Sequence, residues 1–137
     1  MIKVQITALT GAVAITSCFA VFWHVVLFEQ QFLSSGVFTR MNDPVYVFGV
    51  TAWVIESLAI VLLYFRTDWR NSTWIDALII AWLVGLFSAA SGLFGMAAKT
   101  HIKDLTQWFL LTGGFIFLHT SLLGLWLSFV SKRIDTH

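Results

Sequence analysis

The sequence predicts an all-α protein, an integral membrane bundle of four helices running up-down-up-down. Three observations predict it. Of 137 residues, 58% are hydrophobic and 11% charged, against roughly 25% charged in soluble domains. Four apolar runs reach the roughly 20 residues needed to cross about 30 Å of hydrocarbon at 1.5 Å per residue. The last two connections are only about eight residues each, which forces antiparallel neighbours.

The first run extends near 4–28 and begins after Lys3. Ile15-Thr16-Ser17-Cys18 also has the layout of a signal ending at a lipidated cysteine. Because the apolar run continues through Phe28, the segment reads as a full span, with Cys18 a small buried hydrophobe. The second run, near 44–65, follows Asn42-Asp43-Pro44, a capping side chain before a proline at the first helical position. The third, near 74–98, opens with Thr73 and Asp76; the fourth, near 107–130, follows Asp104 and Gln107. Both pairs have capping-box spacing, so Asp76 is read as structural. The long first connection, Glu29 to Asp43, alternates polar residues with Phe32, Leu33, Val37 and Phe38, as a lid or a plain structured link along the interface would.

Charge sets orientation and excludes some functions. Lys3, Arg66, Arg70, Lys132 and Arg133 fall on one side, and Arg40, Lys99 and Lys103 on the other. The richer side is expected to be cytoplasmic, so both termini are placed there. A net charge of +1 gives no field that favours nucleic acid. Trp69, Trp74 and Trp126 toward one face, and Trp23 and Trp108 toward the other, are expected as interfacial anchors. Small residues at four-residue spacing, Ala81-Gly85-Ala89, Ser91-Gly95 and Thr120-Gly124-Ser128, predict close contact of helices three and four, or alternatively a homodimer face.

The chemistry on offer is a few ionisable groups at membrane depth. Glu56 lies near the middle of its span, where such a group costs a few kcal/mol and marks a functional site by default. Gly49, Ala52 and Ala59 share its helical face, so it is expected to point into the bundle. Its readings are proton carrier, cation site or polar ligand anchor; the structural alternative is a neutral acid hydrogen-bonded to a neighbouring helix. His119 falls at a similar depth, and a Glu56–His119 contact, direct or through water, is able to share one proton.

His24 sits near the outer end of the first helix on a face with Thr16, Ser17 and Ala20. With Glu29, Asp43 and His101 it forms a candidate outer-face polar cluster. These are acceptable zinc ligands without a dedicated spacing, so neither metal nor cofactor is identified. Counting residues puts His24 and His119 roughly 14 Å apart in depth, too far to clamp a haem, whereas His24 and His101 match in depth. No catalytic residue is assigned: there is no serine or cysteine triad, no phosphate-binding glycine loop and no dinucleotide fingerprint.

At Phe22-Trp-His-Val-Val-Leu-Phe28, Gly36, Asn42-Asp-Pro44 and Gly95-Met-Ala-Ala-Lys99, the chain resembles small four-span bacterial inner-membrane proteins of unknown function. The resemblance implies the bundle and a bacterial inner membrane and carries over no residue role. The expectation is therefore a non-catalytic membrane bundle, an accessory or assembly subunit or a holder of a small apolar ligand such as a lipid or quinone. Its partners would be the lipid bilayer and a membrane protein or a second copy. The alternative is a proton- or cation-coupled carrier using Glu56 and His119, and the third reading is a metal or haem protein at His24 and His101.

Overall fold

The computed structural model describes residues 2–38, 45–69 and 71–134, and among these no strand occurs. Helix α1 (Ile2–Val21) runs on into a π-helical turn, Phe22–Leu27, and a short α2 (Glu29–Ser34) follows. Helix α3 is Tyr46–Arg66. Helix α4 (Trp74–Ser88) continues through a second π-helical turn, Ala89–Phe94, into α5 (Gly95–Lys99), and α6 is Leu105–Ile134. Four rods, Ile2–Leu27, Tyr46–Arg66, Trp74–Lys99 and Leu105–Arg133, are long and apolar enough to cross a membrane, with mean hydropathies of 1.6 to 2.1.

These rods follow the apolar runs closely. The cap expected at Asn42-Asp43-Pro44 lies outside the described residues. At Thr73 the capping box is complete: its hydroxyl accepts from the Asp76 amide, and the Asp76 carboxylate accepts from the Thr73 amide at 2.7 Å. Asp104 accepts from the Gln107 amide at 2.9 Å, which starts α6 at Leu105, two residues earlier than the apolar run suggests.

Side-chain hydrogen bonds fix the register of the rods. Trp126 donates to the Ala8 carbonyl, Thr16 meets His119 and Trp23 donates to the Leu111 carbonyl. Positions rising along α1 thus pair with positions falling along α6. Trp82 with Ser121 and Trp108 with the Leu93 carbonyl set α4 and its π turn against α6 in the same sense. Close approach needs residues without side chains. A Cβ on Gly85 would come within 2.6 Å of the Thr120 methyl, and one on Gly124 within 2.9 Å of the Leu78 Cα. The Ala81-Gly85 and Thr120-Gly124 stripes are therefore used between α4 and α6 of one chain, whereas Ser91 is exposed and a Cβ at Gly95 would meet only the Ala90 carbonyl within 4 Å. On α1, a Cβ at Gly11 would overlap the Trp126 indole outright.

The core is divided. At the end carrying both termini, Val4, Ala8, Ile60, Tyr64, Leu123 and Leu127 belong to one buried cluster drawn from several rods. The Tyr64 hydroxyl, in a fully buried side chain, meets Ser72 at 2.8 Å and Ser131 at 2.9 Å, tying the α3–α4 link to the end of α6. At the other end a smaller cluster, Phe32, Leu93, Ile102 and Trp108, holds α2 against the second π turn and α6 without any residue of α3. Gly36, with φ of 80°, turns the chain there, and the Ser35 carbonyl accepts from the Lys103 amide at 3.2 Å. The described part of the first connection, residues 29–38, is thus packed around a short helix anchored by Phe32.

Two expectations are corrected. Of the five tryptophans expected at the interfaces, only Trp74 projects outward, at 51% exposure. Trp69 and Trp108 are buried, and the indole N–H groups of Trp23, Trp108 and Trp126 bond to helix carbonyls, which satisfies a polar tip inside an apolar bundle. Cys18, expected inside, is exposed, because the inward stripe of α1 is Ala8, Ala12, Thr16 and Ala20.

Candidate functional site

Glu56 lies at the midpoint of the 21-residue α3 and His119 at the midpoint of the 30-residue α6. Their side chains meet: His119 Nδ1 stands 3.9 Å from Glu56 Oε2. The other carboxylate oxygen, Oε1, accepts from the Ser88 hydroxyl of α4 at 2.9 Å. The other ring nitrogen, Nε2, is 2.8 Å from Thr16 Oγ1 of α1, which in turn lies 3.4 Å from Ser57 Oγ of α3. All four rods therefore contribute to one polar line, Ser88–Glu56–His119–Thr16–Ser57. Thr16, Ser57 and His119 are essentially fully buried, and the Glu56 side chain retains 19% exposure.

The sequence-level face assigned to Glu56 needs correction. Of Gly49, Ala52 and Ala59, Ala52 is exposed, Gly49 and Ala59 are only half-buried, and a Cβ at Gly49 would meet nothing within 4 Å. The inward residues of α3 are Ser57, Ile60, Val61 and Tyr64, all on the terminal side of Glu56. From Val45 to Ile55 no residue is buried; Tyr46 is 76% exposed, Phe48 72% and Ile55 61%. Below Glu56, α3 is packed on three neighbours; above it, only Gly49 and Trp53 are half-buried and every other residue from 45 to 55 is exposed. Opposite, the exposed Ala90, Ser91 and Gly92 belong to the second π turn, just beyond Ser88. The polar line thus sits where a side opening between α3 and the rest of the bundle closes.

Among the described residues, the outer candidates His24, Glu29 and His101 do not form a three-ligand group. His24 Nδ1 donates to the Ala20 carbonyl at 3.0 Å, which leaves Nε2 as the acceptor of a neutral ring. The ring lies against Phe32 at 4.5 Å, Phe115 at 4.6 Å and Phe38 at 6.3 Å. Glu29 and His101 are exposed, and Asp43 lies outside the described residues. Among the described residues, no three His, Cys, Asp or Glu side chains come together to hold a metal ion.

Phe115 also stacks on His119 at 5.3 Å and 9°, so one phenyl ring separates the two histidines. They are closer than the axial count suggests, because that count omits side-chain reach and the π-helical turn at Phe22–Leu27. One helical turn from Phe115 and on the same face of α6, Thr112 has a buried hydroxyl without a hydrogen-bond partner.

Glu56 and His119 were legible as candidates, since ionisable groups in an apolar run are few. Ser88, Ser57 and the role of Thr16 were not, because hydroxyls are cheap inside helices, where they bond to the carbonyl one turn back. The usable signal was depth: each falls within a mid-run turn of a different apolar segment.

Compared with known protein families, curated proteins and solved structures, the chain matches none. The likeness to small four-span bacterial membrane proteins is accordingly carried by no matching relative, and the functional reading rests on the residues themselves.

Proposed function

We propose that this chain is a non-catalytic integral membrane protein that holds a small apolar ligand bearing a polar head. In this reading it is an up-down-up-down four-helix bundle in a bacterial inner membrane, with both termini cytoplasmic. The observation that carries it is the Glu56–His119 line at the closed end of the side opening left by the outer half of α3. Four apolar rods and opposed registers support insertion as an antiparallel bundle. A polar group at this depth is costly unless it is satisfied, and this one is shared among four helices, beside space that only the hydrocarbon phase can fill. The same opening suits an accessory role, in which a partner's helix lies along α3.

The 3.9 Å Glu56–His119 pair favours a second reading, a proton or cation carrier. Against it stands the terminal end, where Tyr64 is fully buried and bonded to Ser72 and Ser131, and Trp69 is buried beside it.

The test is native mass spectrometry of protein purified in mild detergent, with extraction of whatever co-purifies. A stoichiometric lipid, quinone or partner is expected. Glu56→Gln is expected to reduce ligand retention about tenfold, the scale of one charge-assisted hydrogen bond. A chain that carries nothing and associates with nothing overturns the proposal, and proteoliposome flux sensitive to Glu56→Gln would put the carrier in its place.

A further inference from the structure

We infer that the head taken up at Glu56 and His119 is an uncharged hydroxyl on a long apolar tail, as in a prenyl or fatty alcohol or a quinol. This rests on the ligand-holding reading above and names its chemistry.

The route excludes charge. Residues 45–55 at the start of α3, the π turn Ala89–Phe94, residues 12–28 of α1 and the π turn that follows it, and residues 108–119 of α6 contain no Asp, Glu, Lys or Arg. Of the hydroxyls along the opening, Thr51 donates to the Val47 carbonyl and Ser91 to the Phe87 carbonyl. Nothing there accompanies a phosphate or an ammonium to a site about 16 Å from either end of α3. A phospholipid head is therefore not the group received.

The geometry at the closed end then selects among uncharged heads. At 3.9 Å, Nδ1 and Oε2 are too far apart for a direct hydrogen bond, and an oxygen set about 2 Å to the side of the line joining them would reach both at about 2.8 Å. Proton bookkeeping decides what kind of oxygen. If the neutral imidazole donates from Nε2 to Thr16, Nδ1 presents a lone pair and the protonated Glu56 is the donor. If Thr16 donates to Nε2, Nδ1–H is the donor and the carboxylate accepts. In both arrangements the facing atoms share one proton, so a donor lies on one side of the bridging position and a lone pair on the other. A hydroxyl accepts from the first and donates to the second. A carbonyl or ether oxygen satisfies the donor and is repelled by the facing lone pair.

A second polar point lies on the same face of α6. Thr112 Oγ1, buried and unpaired, is one turn beyond Phe115 from His119. A head with a second oxygen, as a quinol has, would find a partner there.

The experiment uses the full chain in phosphatidylcholine nanodiscs, with labelled farnesol as the probe and ligand amounts expressed as mole fraction of lipid. Competitors are unlabelled farnesol, farnesyl methyl ether and farnesyl phosphate, which share a tail and differ only in the head. Saturable farnesol binding is expected, with the ether about tenfold weaker as one hydrogen bond is lost and the phosphate without effect. Equal competition by alcohol and ether overturns the hydroxyl assignment while leaving the ligand-holding reading intact. Tight competition by the phosphate overturns the exclusion of charge. No saturable binding of farnesol, with a quinone or lipid still retained on purification, removes this inference alone; no retention of any amphiphile removes both. The three ligands are compared on the unaltered protein, so the outcome does not depend on a variant that folds poorly.

Discussion

Single residues carry stability here through contact rather than charge. Gly124→Ala places a methyl against the Leu78 Cα and the Ala77 carbonyl, both backbone atoms that cannot swing aside. It is expected to cost about 1–3 kcal/mol, read as a lower midpoint in thermal or denaturant unfolding in detergent. Gly92→Ala is its control: a Cβ there meets nothing within 4 Å, so the change is expected to be neutral or to stabilise by up to about 1 kcal/mol. Tyr64 shows a different dependence. Ser72 and Ser131 each lie within reach of a backbone carbonyl as well as of the Tyr64 hydroxyl. With one proton per hydroxyl, the tyrosine donates to one serine and accepts from the other, which shares its proton. Tyr64→Phe strands part of this arrangement in a buried place and should cost about 1–3 kcal/mol in the same assay. Glu56 and His119 stand out in the sequence because charge is rare in it. Tyr64 does not, because an apolar run near its end tolerates tyrosine for many reasons and only the three-dimensional meeting with residues 72 and 131 gives it a partner.

At the scale of elements, the helices were legible and their interruptions were not. Apolar length and capping boxes place the rods to within two or three residues. The π-helical turns at Phe22–Leu27 and Ala89–Phe94 have no composition of their own, since each is one added residue accommodated by packing on α6. The tryptophans mislead for a related reason: an indole serves an interface and a buried carbonyl equally well, and the sequence does not say which is near. The outer half of α3 is the largest departure from a uniform bundle. It yields an expectation for nitroxides placed singly from Val47 to Ile55 in a Cys18→Ser background. Their collision rates with oxygen should be high at the exposed positions 47, 48, 50–52, 54 and 55, lower at the half-buried 49 and 53, and several-fold lower at Ala12 and Ala81, which are fully buried. Rates at 49 and 53 as low as those at Ala12 and Ala81 would show instead that this half packs fully on one face and that the opening is closed.

The whole molecule is asymmetric along its length, tight where the termini lie and loose where α2 lies. The distribution of cations suggests which end faces the cytoplasm. Fusions of a cytoplasm-active fluorescent protein and a periplasm-active phosphatase to each terminus are expected to agree, with fluorescence and no phosphatase activity at both. Opposite signals at the two ends would remove the even-numbered crossing on which the architecture depends. The indole of Trp126 offers a consequence of another kind. It lies flat on Gly11 and bonds to the Ala8 carbonyl, so one ring occupies the place of a side chain on the facing helix. The two positions are therefore bound in their histories. A relative with any side chain at position 11 must have given up the indole at 126, and the pair should change together or not at all across divergence that leaves the rest of either helix free to drift.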